Sequence, residues 1–89
     1  MLEEVRLALR ISNTVYNDEI QGLIDAGKRD LEIAGVALPI ETDPLIKRAV
    51  ILYCKAHFGY DNKDADRFLD SYVMLKQHLV LSGDYNALG

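Results

Sequence analysis

Cysteine is almost missing from this sequence: Cys54 is the only one in 89 residues, which excludes an internal disulfide and any metal site built from several thiolates. Such cysteine usage fits synthesis in a reducing, cytosolic compartment. Histidine is nearly as scarce. His57 and His78 fall in different predicted helices, and neither belongs to an H-E-x-x-H or comparable ligand pattern, so no metal and no cofactor is expected. No apolar run approaches the roughly 18 residues a membrane span needs, and the acidic start Met1-Leu2-Glu3-Glu4 is the reverse of a signal peptide. The expectation is a soluble, unprocessed chain with no membrane partner. Also lacking are a Gly-rich phosphate loop, a serine elbow and a carboxylate pair at credible geometry, so no catalytic residues are assigned and the chain is read as non-enzymatic.

Excess positive charge is the next absence. The formal net charge is -4 and the pI about 5.0, a balance that repels phosphate backbones unless basic residues are locally segregated. Lys47, Arg48 and Lys55 form the one basic strip, with no cluster of base-reading Asn, Gln or Arg beside it. Apolar residues, by contrast, make up 49% of the chain. That is the apolar end for a domain this small, and it hints at a partner surface.

The apolar positions follow helical periodicity. Leu2, Val5 and Leu9 define a short first helix with Glu3 and Glu4 in its first turn, where the helix dipole favours acids. A loop from Arg10 to Asn17, rich in Ser12, Asn13 and Thr14, leads into a second helix over residues 16–34. Tyr16, Ile20, Leu23, Ile24, Gly27, Leu31 and Ala34 share its narrow apolar stripe, Asp25 with Arg29 and Lys28 with Glu32 are spaced to pair on its outer face, and Gly35 supplies a C-cap. Val36-Ala37-Leu38-Pro39-Ile40 connects to Asp43-Pro44, a capping carboxylate followed by proline at the first helical position. The third helix starts there, ends near Gly59, and carries an apolar face broad enough to be central in a bundle. A fourth runs from about Asp64 to Ser82, with Phe68, Tyr72, Leu75 and Leu79 as its stripe, Leu69, Val73 and Val80 widening it, and Gly83 ending it. Residues 1–89 are thus expected to form one all-α domain, a small bundle of about four helices with a short C-terminal tail.

Two features of this last helix and tail exceed what a lone domain needs. Met74 and Leu81 lie seven apart on a second side of the helix, and Tyr85 and Leu88 are odd choices for a purely solvated tail. All four are assigned to an oligomer or partner interface. The acidic knot Asp61-Asn62-Lys63-Asp64-Ala65-Asp66 is not a calcium loop, because Lys63 stands at the third position and Tyr72 at the twelfth; a helix N-cap with acids in its first turn explains it. Cys54 is read as a core residue, and His57 as a side chain suited to the negative end of its helix.

The order of features resembles the head-tail connector, or DNA-packaging connector, family of tailed bacteriophages and prophages. The likeness is carried by the short acidic first helix, Asp18-Glu19-Ile20, Ile33-Ala34-Gly35-Val36, Asp43-Pro44-Leu45-Ile46-Lys47-Arg48-Ala49-Val50 and Tyr60-Asp61-Asn62. The resemblance implies a virion structural protein, made in the bacterial host cytoplasm, whose subunits form a homo-oligomeric ring beneath the portal protein at the head-tail interface. Such a ring extends the DNA channel and receives the tail, a stopper or a tail-completion protein, with double-stranded DNA only as non-specific cargo. An acidic balance suits a conduit through which DNA must slide. The rival readings are a small helix-turn-helix DNA-binding regulator and a helical partner-binding module of a bacterial host.

Overall fold

The computed structural model describes residues 1–37, 42–59 and 62–85. Among these are four helices and no strand: α1 (Leu2–Leu9), α2 (Asn17–Ala34), α3 (Pro44–His57) and α4 (Ala65–Leu81). The periodicity had placed each of them to within a residue or two.

Local chemistry sets the ends. Asp43 accepts hydrogen bonds from the N–H groups of Leu45 and Ile46 at 2.9 and 3.2 Å, and Pro44 supplies the first helical residue of α3. Gly35 closes α2 in the left-handed region at φ 113°, with its N–H on the Glu32 carbonyl and the Val36 N–H on the Leu31 carbonyl. That crossed pair brings the buried side chains of Leu31 and Val36 to one end of the core. Three expectations are corrected. Asp64 stands at the α4 N-cap position without a capping bond and pairs instead with Arg67; Asn62 makes the turn, accepting from the Asp64 N–H while its amide donates to the Lys55 carbonyl of α3. Ser82, in an extended conformation, ends α4 before Gly83 is reached. On the outer face of α2, Asp25 accepts from Gln21 and Arg29 turns toward Glu32, so the expected Asp25 to Arg29 pair is not formed.

The central helix is α3, which packs against each of the other three, whereas α2 and α4 touch only sparsely. Its Ile46, Ala49, Val50, Leu52 and Cys54 meet Val5 of α1, Ile20, Ile24 and Leu31 of α2, and Tyr72 and Leu79 of α4 in one core. Burying each large apolar side chain there contributes about 1.5–3 kcal/mol. Gly27 lets α2 approach closely: a Cβ at that position would lie 3.1 Å from the Tyr53 ring.

Contacts fix the helix directions. Tyr16, before α2, stacks edge-on against Phe58, after α3, while the Ala37 N–H, past the end of α2, donates to the Tyr85 carbonyl, past the end of α4. The C-terminal ends of α2 and α4 and the start of α3 therefore share one end of a molecule 40 × 24 × 18 Å in extent. The loop before α2, the end of α3 and the start of α4 share the other.

Candidate assembly surface

Two residues along a helix is about 200° of rotation, so a side chain two positions past a buried one points away from the core. Met74 follows Tyr72 in this way, Leu81 follows Leu79, and Ile33 follows Leu31. Their exposures are 62%, 83% and 73%. Met74 and Leu81 share the solvent side of α4, as their seven-residue spacing required. Beside Leu81, a shallow groove of about 380 Å³ runs between the ends of α2 and α4, lined by Ala34, Lys76, Gln77, Val80 and Leu81. Ile33, next to Ala34 in sequence, was not assigned to an interface from the sequence, although its position off the α2 stripe was a usable signal.

The tail behaves differently. Tyr85 packs against the core cluster, and its hydroxyl donates to the carboxylate of Asp43, 2.9 Å from Oδ2 and 3.1 Å from Oδ1. It therefore has a use inside its own chain, which accounts for an aromatic residue at this point of the tail. Leu88 lies outside the described residues. Burial opposes the charge on Asp43, but the bonds from Tyr85, Ile46 and Leu45 outweigh it and hold the carboxyl below its ordinary 3.8.

A second polar contact ties α2 to α4. Asp30 accepts from the Tyr72 hydroxyl and, at 3.0 Å, from the Lys76 ammonium. Burial works against the Asp30 carboxylate, yet these two partners keep its pKa below 3.8. Burial and the neighbouring carboxylate push the Tyr72 hydroxyl well above its ordinary range.

The basic strip does not form a patch. Lys47 bonds Glu4 of α1 at 3.0 Å, and Lys55 lies over the Phe68 ring at 5.2 Å, which leaves Arg48 exposed by itself. Cys54 is fully buried, and burial pushes its thiol up to about 12, so it stays protonated and unreactive at neutral pH. His57 ends α3 and rests on the Tyr53 ring at 4.3 Å; His78 lies in the last turn of α4. Among the described residues, no group of three His, Cys, Asp or Glu side chains is arranged to hold a metal ion, and no helix is long and apolar enough to cross a membrane. A cleft of about 520 Å³ opens at the far end between Leu9, Arg10, Lys55, Phe58, Asn62 and Phe68. It holds no nucleophile and base within reach of each other.

Among the described residues the arrangement leaves large apolar side chains exposed on the solvent side of α4. Neither a curated protein nor a solved structure matches the chain. A family does match, described as phage connector protein, and the match covers residues 1–86, nearly the whole sequence. With its four helices and its exposed second apolar face, the chain belongs to the phage connector protein family.

Proposed function

We propose that this connector protein is a head-tail adaptor subunit, built into a homo-oligomeric ring beneath the portal, where it extends the DNA channel and receives the tail or a stopper. The observation that carries this reading is the solvent face of α4 with the neighbouring end of α2: Met74, Leu81 and Ile33 stay largely exposed although the subunit's own core is complete without them. Large exposed aliphatic side chains that the core does not use are the material of a protein-binding surface, and Leu81 also lines a groove. Two of the three basic-strip residues are engaged, Lys47 on Glu4 and Lys55 over Phe68, and Arg48 alone lends little support to sequence-specific DNA binding.

The test is a phage deleted for the gene. Its particles, viewed by electron microscopy, should be DNA-filled or leaking heads without tails, and the protein supplied in trans should restore tailed particles and enter them in several copies. Normal tailed particles from the deletion would overturn the adaptor reading. So would sequence-dependent, submicromolar DNA binding by the subunit at physiological salt.

A further inference from the structure

Two basic side chains that form no ion pair among the described residues line the same cleft. Arg10, closing α1, and Lys55, in the last turn of α3, border the space of about 520 Å³ at the far end of the molecule, with Leu9, Phe58 and Phe68 beside them. The Lys55 ammonium rests over the Phe68 ring at 5.2 Å, a contact that uses none of its three N–H donors. Asp64 is the one carboxylate among the described lining residues, and Arg67 holds it at 3.3 Å. The cleft is therefore cationic in a chain whose net charge is -4. The backbone supplies a separate observation. Arg10 stands in the left-handed region, at φ 61° and ψ 39°, where glycine would close the helix with less strain. An arginine in that conformation, on the border of a cleft, points to a use for its side chain.

From these we infer that the cleft receives an acidic segment of a partner protein, its carboxylate taken by Arg10 and Lys55 and an adjoining apolar side chain laid against Leu9 and Phe58. Charge selects the occupant, and the aromatic lining narrows it. Arg10 also borders a smaller recess with Ile11 and with Leu7, which is 76% exposed, so a segment crossing Arg10 meets apolar surface on both sides. Duplex DNA fits this cleft poorly. Two cations in a recess engage about two phosphates, a small share of what even non-specific binding uses, and the apolar lining gains nothing from a phosphate backbone. Exposed ion pairs are individually weak and screened by salt, so the contact is a modest, salt-sensitive one. The inference goes beyond the adaptor reading and does not rest on it, because the cleft lies at the opposite end from the α4 groove.

The experiment is a titration of the isotope-labelled full chain, followed through its amide resonances, at low salt. The probe is a capped peptide, Gly-Phe-Asp-Leu-Glu-Gly, with Gly-Phe-Asn-Leu-Gln-Gly as its neutral counterpart and a short DNA duplex as the third ligand. The acidic peptide should shift the amides of Leu9, Arg10, Phe58 and Asn62 saturably, and the neutral one should bind roughly tenfold more weakly. Arg10→Gly suits the left-handed turn and keeps the fold, so a loss of binding in that variant cannot be a loss of structure. Arg10→Gly and Lys55→Gln should each weaken the acidic peptide by roughly fivefold to tenfold. Equal binding of the two peptides, undiminished binding in the double variant, or no saturable shift at millimolar peptide would overturn the inference. So would tighter binding of the duplex at the same amides, which would make the cleft a phosphate site. None of these outcomes bears on whether tails join in a phage deleted for the gene, which tests the adaptor reading separately.

Discussion

Arg10 is the only residue other than glycine with a positive φ among the described residues, at φ 61° and ψ 39°. It closes α1 as Gly35 closes α2, with its N–H on the Leu7 carbonyl and the Ile11 N–H on the Arg6 carbonyl. The left-handed region costs a side-chain-bearing residue roughly 1 kcal/mol or more, partly offset because glycine loses more entropy on folding. Arg10→Gly should therefore raise stability by about 0.5 kcal/mol, a gain of about 2–4 °C in melting temperature for a domain this size. Part of the acid-base behaviour belongs to the four side chains of the Asp30–Tyr72 and Asp43–Tyr85 contacts. Asp30 and Asp43 have lowered carboxyl pKa values, so below 3.8 the unfolded chain binds more protons than the folded one, and the stability they contribute is lost as pH falls through their folded values. Tyr72 and Tyr85 are shifted upward, so their contribution is complete below 10 and is lost as pH rises above it. A plot of melting temperature against pH should fall at both ends. Asp30→Asn should flatten the acid limb and Tyr72→Phe the alkaline limb; an unchanged limb in either variant would mean that the clasp contributes nothing to the pH response.

The two glycines of α2 give opposite forecasts. Gly22 is exposed with nothing near the site of a missing Cβ, so Gly22→Ala should stabilise by about 0.5–1 kcal/mol through helix propensity alone. Gly27 faces Tyr53, which is itself wedged between His57 and Tyr72, and Gly27→Val should destabilise by about 1–3 kcal/mol through overpacking. Urea unfolding of the two variants checks both signs. The helices themselves were legible because their signals are local: Asp43-Pro44, Gly35 and the apolar stripes each act within a turn or two. Asn62 was not, since the acids around it offered an equally good cap on paper, and only the position of the α3 carbonyls decides which side chain turns inward. The Tyr85 contact was not legible for a related reason. Its partner Asp43 is forty-two residues away, and no periodicity encodes a contact made by the chain folding back on itself. On the candidate surface, Met74 and Leu81 could be read from spacing, whereas the groove exists only because α2 and α4 end side by side.

For the molecule as a whole, the tail and the α4 face should separate cleanly under mutation. Truncation after Gly83 removes the Tyr85 ring from the core and its hydroxyl from the α3 cap, so it should lower the melting temperature. Leu81→Glu places a charge where the side chain is already in water and should leave circular dichroism and melting unchanged while abolishing assembly. A cooperative melt at the wild-type temperature from the truncation would show the tail contact to be idle. The position of α3 among the other helices carries a further consequence, in the order in which the molecule opens. Because α3 contributes more buried residues to the core than any other helix, Ile46, Ala49, Val50, Leu52 and Cys54, its middle amides exchange with solvent deuterium only when the whole domain unfolds. The last turns of α4, which lie beyond the Asp30 clasp on Tyr72 and Lys76, exchange through smaller openings, so the segment that carries the proposed docking face is also the one that yields first. Amide exchange should therefore be slowest around Ala49 to Leu52 and fast from Gln77 onward, and a partner seated on the groove should slow the second group while leaving the first untouched.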